Sequence, residues 1–279
     1  MGRPSDEYGA HVVDTPYFAA EHATADERQR LSVLQSEFDP LTMRHLRDLG
    51  LGTDRRVRDC LEVAAGGGSI ARFMADAVAP DGRVVATDLD LRFLAEDPRP
   101  NLEVRRHDLV TEPLEPLGYD LVHCRLLLVH LRDPAAAVQK LADSVAPGGA
   151  LLLEEFEYGT LQVADPSHPL AATVTRVNNA LIELVGAMGI DVFLGRRLPD
   201  LLEAAGLVDV AHEGTLRVTR GTAAPTMAKA STALMAPALV GRGLVSAEDV
   251  DGWFTALSDP TFRMLDFAIM SAWGRRAPL

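Results

Sequence analysis

The residues with the types and spacing to hold a nucleoside lie in two short segments. Glu62 stands inside the apolar run Cys60-Leu61-Glu62-Val63, Ala64 and Ala65 follow, and Gly66-Gly67-Gly68 lead into a helical stretch beginning at Ser69. Twenty residues past Gly68, the run Val84-Val85-Ala86-Thr87 closes on Asp88. Glycines let backbone come close to a ligand, and an acid ending the next strand can accept both hydroxyls of a ribose. That is the layout of a nucleotide-binding βαβ unit. An adenosine-containing cofactor is expected.

Elements must position these groups, and the pattern supplies them. From Arg56 onward short apolar runs alternate with helical stretches, as a parallel sheet with crossover helices requires. Strands are expected near 58–63, 83–87, 102–106, 119–124 and 150–155, with helices at about 69–79, 91–96, 126–131 and 134–146. Pro80-Asp81-Gly82 and Pro147-Gly148-Gly149 read as turns that stop helices ahead of strands. Leu198 to Ala205 reads as a crossover helix closed by Gly206, leading to a strand around 207–218, and Met264 to Trp273 as a last strand. Before Arg56 the chain carries helical signals only, in two segments divided at Pro40. We therefore expect residues 1–55 to form an N-terminal helical cap or lid. Residues 56–279 would form the cofactor-binding domain, with helical insertions at about 157–195 and 222–258 building the substrate pocket.

Composition narrows the partners. The formal net charge is −13 and no block of Lys and Arg forms a cationic stripe, which argues against nucleic acid and anionic membrane surfaces. A small-molecule substrate is expected, and a homodimer is left open. Cys60 and Cys124 each sit in a strand-like run and read as buried thiols. The first residues lack the apolar stretch of a signal peptide and no membrane-length apolar run follows, so the expected location is cytoplasmic.

Glu62 to Gly68, Asp88, His107-Asp108-Leu109, Tyr119 to Arg125, Pro147 to Leu153 and Gly195 to Leu207, taken in order, resemble the class I S-adenosylmethionine-dependent methyltransferases. The resemblance implies an α/β Rossmann-like fold with a seven-stranded, mostly parallel sheet, and S-adenosyl-L-methionine as cofactor. It places Glu62 at the acidic position, Gly66 and Gly68 at the second and third glycines, Asp88 and Leu89 at the ribose, and Asp108 and Leu109 at the adenine. Cys124 and Arg125 fall at the fourth strand's end. From the lid, Tyr17, His11 and His22 could reach the cofactor or substrate, or could equally be surface residues. Ala64 replaces the first glycine, and a positive φ there would strain its Cβ by roughly 1 kcal/mol. A dinucleotide is the competing ligand. Against it, the Gly-x-Gly-x-x-Gly spacing is absent and Glu62 would face a pyrophosphate.

Methyl transfer from a sulfonium needs geometry more than acid or base groups. Where the acceptor must lose a proton, His130 is the leading candidate for the catalytic base, since it follows the fourth strand on the pocket side. The competing reading is a histidine that only packs a loop. His123, inside that strand, reads as a core histidine. Of Glu154 and Glu155, one is expected to meet substrate and the other to be solvated or to cap backbone. Trp253, Trp273, Phe254, Phe262 and Phe267 could wall the substrate or fill the core, and no metal site is expected. The expected activity is methylation of a small organic molecule, with an oxygen acceptor as the default and a specialised metabolite as the substrate type. The alternatives use the cofactor without methyl transfer, or only bind it.

Overall fold

In the computed structural model, which describes residues 24–94 and 97–278, seven strands make one sheet in the order β3-β2-β1-β4-β5-β10-β7. The strands are β1 (Asp59–Val63), β2 (Arg83–Asp88), β3 (Leu102–Arg106), β4 (Tyr119–Arg125), β5 (Val145–Glu157), β7 (Val208–Thr215) and β10 (Ala268–Arg275). The first five pair in parallel, whereas β10 runs antiparallel to both β5 and β7. The middle strands are buried on both faces, which their near-continuous apolar runs require. Because β2 and β4 flank β1, the chain reverses direction across the sheet there, and a crevice opens at the carboxyl ends of these strands.

Helices α2 (Ser69–Val78), α3 (Pro134–Ser144) and α5 (Leu198–Ala204) cover the sheet. Ile70, Ala71, Met74, Ala75 and Val78 give α2 one apolar face. Asp133 caps α3 by accepting the Ala136 N–H, with Pro134 in the first turn. A second layer holds α4 (Ala171–Ala187), α6 (Met227–Gly241), α7 (Ala247–Ala256) and a three-stranded sheet ordered β6-β9-β8. Its strands are β6 (Gln162–Val163), β8 (Val218–Arg220) and β9 (Arg263–Leu265).

Several local expectations change. The N-terminal signal split at Pro40 is one continuous helix, α1 (Thr24–Asp48). Proline removes the bond to the Ser36 carbonyl, but Phe38, Thr42, His45 and Leu46 are buried on either side of it, and packing holds the helix together. The described part of the stretch at 91–96 holds one 3₁₀ turn, Leu91–Phe93, and the stretch at 126–131 shrinks to another, Leu128–His130. Pro147-Gly148-Gly149 lies inside β5, where the register against β4 jumps from Tyr119↔Val145 to Leu121↔Ala150, so it is a bulge instead of a turn. The single run at 264–273 breaks at Asp266, whose buried carboxylate accepts the Phe267 N–H, and its halves join different sheets as β9 and β10. The strand expected at 207–218 ends at Thr215, and β8 then leaves for the second sheet.

Candidate functional site

The turn after β1 is tight and left-handed at three positions: Ala64 (φ 58), Gly66 (φ 54) and Gly68 (φ 74). Ala64 thus carries the strain that its side chain predicts, about 1 kcal/mol. Asp88 pins the turn. Its Oδ2 accepts the Gly66 N–H at 2.8 Å and its Oδ1 accepts the Asp90 N–H at 3.0 Å. Burial raises the Asp88 pKa, and these amide donors oppose that rise. Helix α1 lies across the outside of the turn. A Cβ at Gly66 would touch Leu31, and one at Gly67 would collide with the Gln35 amide.

The crevice holds two lobes that share Ala64, Asp88 and His130. The smaller, apolar lobe is lined by Val63, Leu89, His107, Asp108, Leu109 and Leu131 among others. The larger contains Glu62, Gly66 and Arg125, together with groups from α1, β5 and α6. The structure therefore brings Glu62, Ala64, Gly66, Asp88, Leu89, Asp108, Leu109, Arg125 and His130 around one space. Gly68 and Cys124 do not line it. Gly68 shapes the turn as the N-cap of α2, and the Cys124 thiol is buried in the core. Tyr17, His11 and His22 lie outside the described residues. Asp108 spends its oxygens on its own loop, accepting from Val110 N–H and Thr111 Oγ1, each at 2.8 Å. It contributes to the lobe chiefly by holding that wall.

His123 is buried, as a core histidine should be, but it lies between two carboxyl groups instead of among apolar side chains. Its Nδ1 is 2.7 Å from Glu62 Oε2 and its Nε2 is 3.3 Å from Glu154 Oε2. Burial alone would lower its pKa, but the two acids outweigh it and push the ring up to about 9, so it is an imidazolium at neutral pH. Glu154 is held well below the usual carboxylate range by His123 and His45 against the cost of burial. It also accepts from Ser271 Oγ at 2.7 Å and from Thr42 Oγ1. Arg125 reaches from the end of β4 to Asp39 Oδ1 (2.7 Å) and Thr42 Oγ1 (2.8 Å) of α1. A chain of polar contacts thus runs from the crevice to the helix covering it. Neither Glu154 nor Glu155 is solvated, and neither lines the crevice.

His130 stands at the junction of the lobes, and burial with the nearby Arg30 guanidinium lowers its pKa to about 4. Its ring is neutral at physiological pH and can accept a proton. Glu155, fully buried behind this turn, accepts the Leu128 N–H at 2.6 Å and is pushed up to about 8 by desolvation.

The larger lobe is walled by residues that motif reading does not reach. Phe156 and Tyr158 follow the last motif on β5, Leu31, Leu34 and Gln35 come from α1, and Met227, Ser231, Leu234 and Met235 from α6. A β5 running past its motif into aromatic residues was the available signal. Burial in an apolar setting lifts the Tyr158 hydroxyl to about 12. Trp253, Phe262 and Phe267 instead belong to the core under the second layer, with Trp253 Nε1 donating to Asn178 Oδ1 at 2.8 Å. Among the described residues, no cluster of three His, Cys, Asp or Glu side chains is placed to hold a metal ion.

This set of groups suits an adenosine carrying positive charge. An apolar lobe can take a flat base, and Asp88 at the junction can meet a ribose. Next to them two carboxyl groups share one imidazolium, which favours a cation over a pyrophosphate. Fold and crevice together define a class I methyltransferase domain. A family model described as "Methyltransferase domain" matches residues 31–212, and the chain belongs to that family. It is 29% identical over 230 residues to "Methyltransferase str2" of Strobilurus tenacellus, covering 81% of this chain and 80% of that one. It is 34% identical over 131 residues to "Ubiquinone biosynthesis O-methyltransferase" of Paracidovorax citrulli, covering 42% of this chain and 52% of the relative. A solved Bacillus halodurans structure, described as a candidate methyltransferase, shares the fold at 17% identity and a TM-score of 0.52, over 84% of this chain and 98% of that one. The protein is an S-adenosylmethionine-dependent methyltransferase. Among the described residues no helix is long and apolar enough to cross a membrane.

Proposed function

We propose that the acceptor is a hydroxyl oxygen on a small, largely apolar molecule of the specialised-metabolite type, and that His130 receives its proton. The observation carrying this reading is the position of a neutral imidazole where the two lobes meet. S-adenosylmethionine, when bound, would supply a methyl group from its sulfonium. Glu62, Asp88, Leu89 and Leu109 would hold it beside the turn at Ala64 to Gly66, and Asp108 would keep the wall of the smaller lobe in place. Arg125 ties α1 down as the lid, and Leu31, Leu34, Phe156, Tyr158, Leu234 and Met235 exclude water around the acceptor.

The basicity of His130 decides the order of events. A phenol titrates about six units above a group at about 4, so complete proton removal before attack would cost about 8 kcal/mol. The proton instead passes to His130 while the oxygen–carbon bond forms, when the oxygen becomes strongly acidic. The O-methyltransferase likeness over part of the chain supports oxygen as the acceptor atom.

The test is a panel of small phenols, aliphatic alcohols, amines and thiols incubated with S-adenosylmethionine, scored by S-adenosylhomocysteine formed. Hydroxyl acceptors should dominate, and His130→Ala should slow them. Turnover confined to amines or thiols would overturn the reading.

A further inference from the structure

Leu126, on the turn between β4 and His130, has φ 57, a conformation a branched side chain adopts only under strain. Something must hold it. Leu126 N–H donates to the Glu154 carbonyl at 2.9 Å, fixing the start of the turn to β5. The next residue of β5, Glu155, then points its side chain into the same turn. Its Oε1 accepts the Leu128 N–H at 2.6 Å, and the amides of Leu127 and Val129 also face the carboxylate. The Leu128 N–H is a donor that the 3₁₀ turn itself leaves unsatisfied, and this one buried acid takes it up from beneath the turn. His130 ends that turn, and its own N–H donates to the Leu127 carbonyl at 3.0 Å.

The cost of this arrangement is considerable. Glu155 has no solvent exposure, and its second oxygen has no hydrogen-bond partner. A buried, half-satisfied carboxyl is destabilising where an apolar residue of similar size would pack. Such a group persists where its geometry serves something other than stability. The segment it grips supplies Leu126, Val129 and His130 to the larger lobe and Leu127, His130 and Leu131 to the smaller one.

We propose that Glu155 is the positioning residue of the site: its buried carboxyl group takes up the Leu128 amide in the middle of the Leu126–His130 turn and thereby sets where the His130 ring stands between the two lobes. The proposal rests on the reading of His130 as proton acceptor for its catalytic meaning, but not for its structural content. Glu155 touches neither ligand and acts only through the turn.

Two substitutions separate reach from the acid group itself. Glu155→Asp keeps a carboxyl group and withdraws it by one methylene, whereas Glu155→Gln loses the acid and keeps an acceptor oxygen at the same reach. The first readout is the His130 ring titration, followed by NMR in the whole protein. Wild type and Glu155→Gln should titrate near the same low pH, while in Glu155→Asp the midpoint should rise by a unit or more towards the ordinary value as the ring leaves its burial beside Arg30. The second is turnover of the best acceptor from the panel above. Glu155→Asp should lose about 10- to 100-fold in kcat, with the Kd for S-adenosylhomocysteine moving less than about threefold, and Glu155→Gln should recover most of the loss. An unmoved His130 titration in Glu155→Asp, or Gln and Asp behaving alike in both readouts, would overturn the proposal. If His130→Ala retains full turnover while Glu155→Asp still shifts the ring titration, the positioning stands and the proton-acceptor reading falls.

Discussion

Alkaline pH should dismantle the buried Glu62–His123–Glu154 chain, and the size of the effect follows from the structure. His123 has no solvent exposure, and its pKa is lifted from the ordinary 6.5 to about 9 by the two acids. A folded-state pKa above the unfolded one means that the folded protein holds the proton more tightly. The associated stability is complete below pH 6.5 and is lost as pH rises through 9. A shift of this size is worth about 3 kcal/mol. Glu155, raised to about 8 from 4.5, also loses stability as pH rises, so the wild-type curve alone would mix the two groups. The difference between wild type and His123→Gln removes that common contribution, because Glu155 is present in both. Urea unfolding should show the variant about 3 kcal/mol less stable at pH 6, with the two proteins converging by pH 10, where the wild-type ring has lost its proton. A gap constant from pH 6 to pH 10 would mean that the ring is not charged in the folded protein, and the account of the chain would be wrong.

Other consequences are quicker to check. Asp88→Ala removes the acceptor for both Gly66 and Asp90 N–H groups and a charged contact at the junction of the lobes, and calorimetry should show S-adenosylhomocysteine binding about 10- to 100-fold weaker; unchanged affinity would put the cofactor elsewhere. Because His130 is depressed to about 4, turnover should stay level from pH 7 down to about 5 and fall only as pH approaches 4, whereas an acid limb near 6.5 would mean another base. Ala64→Gly should stabilise the protein slightly, by about 0.5 kcal/mol in thermal unfolding, since relief at φ 58 outweighs the usual entropic cost of glycine. A loss of 1 kcal/mol there would show that the turn is not strained.

The succession of short strands and helices along the chain, the glycine turn behind Glu62 and the acid at the end of β2 could all be read from residue types. Each depends on local chemistry: apolar runs long enough for a buried strand, glycines where backbone must turn, a carboxylate at a fixed spacing. The strain at Ala64 was legible as a condition, since a Cβ there is strained if the turn needs a positive φ, and the structure supplied that φ. What short-range pattern could not decide was which distant groups meet. His123 reads as a core histidine by its place in an apolar strand, and only the pairing of β1, β4 and β5 sets Glu62 and Glu154 on either side of it. Pro40 reads as a break, and only the burial of α1 on both sides keeps it helical. The larger lobe was beyond the sequence for the same reason. Its walls come from α1, β5 and α6, about seventy residues or more apart along the chain, and no periodicity within one element records what the next will face. Glu155 shows the limit most plainly. Its type marks it as polar, but the amides that take it up are presented by a turn almost thirty residues earlier, brought against it when β5 pairs with β4.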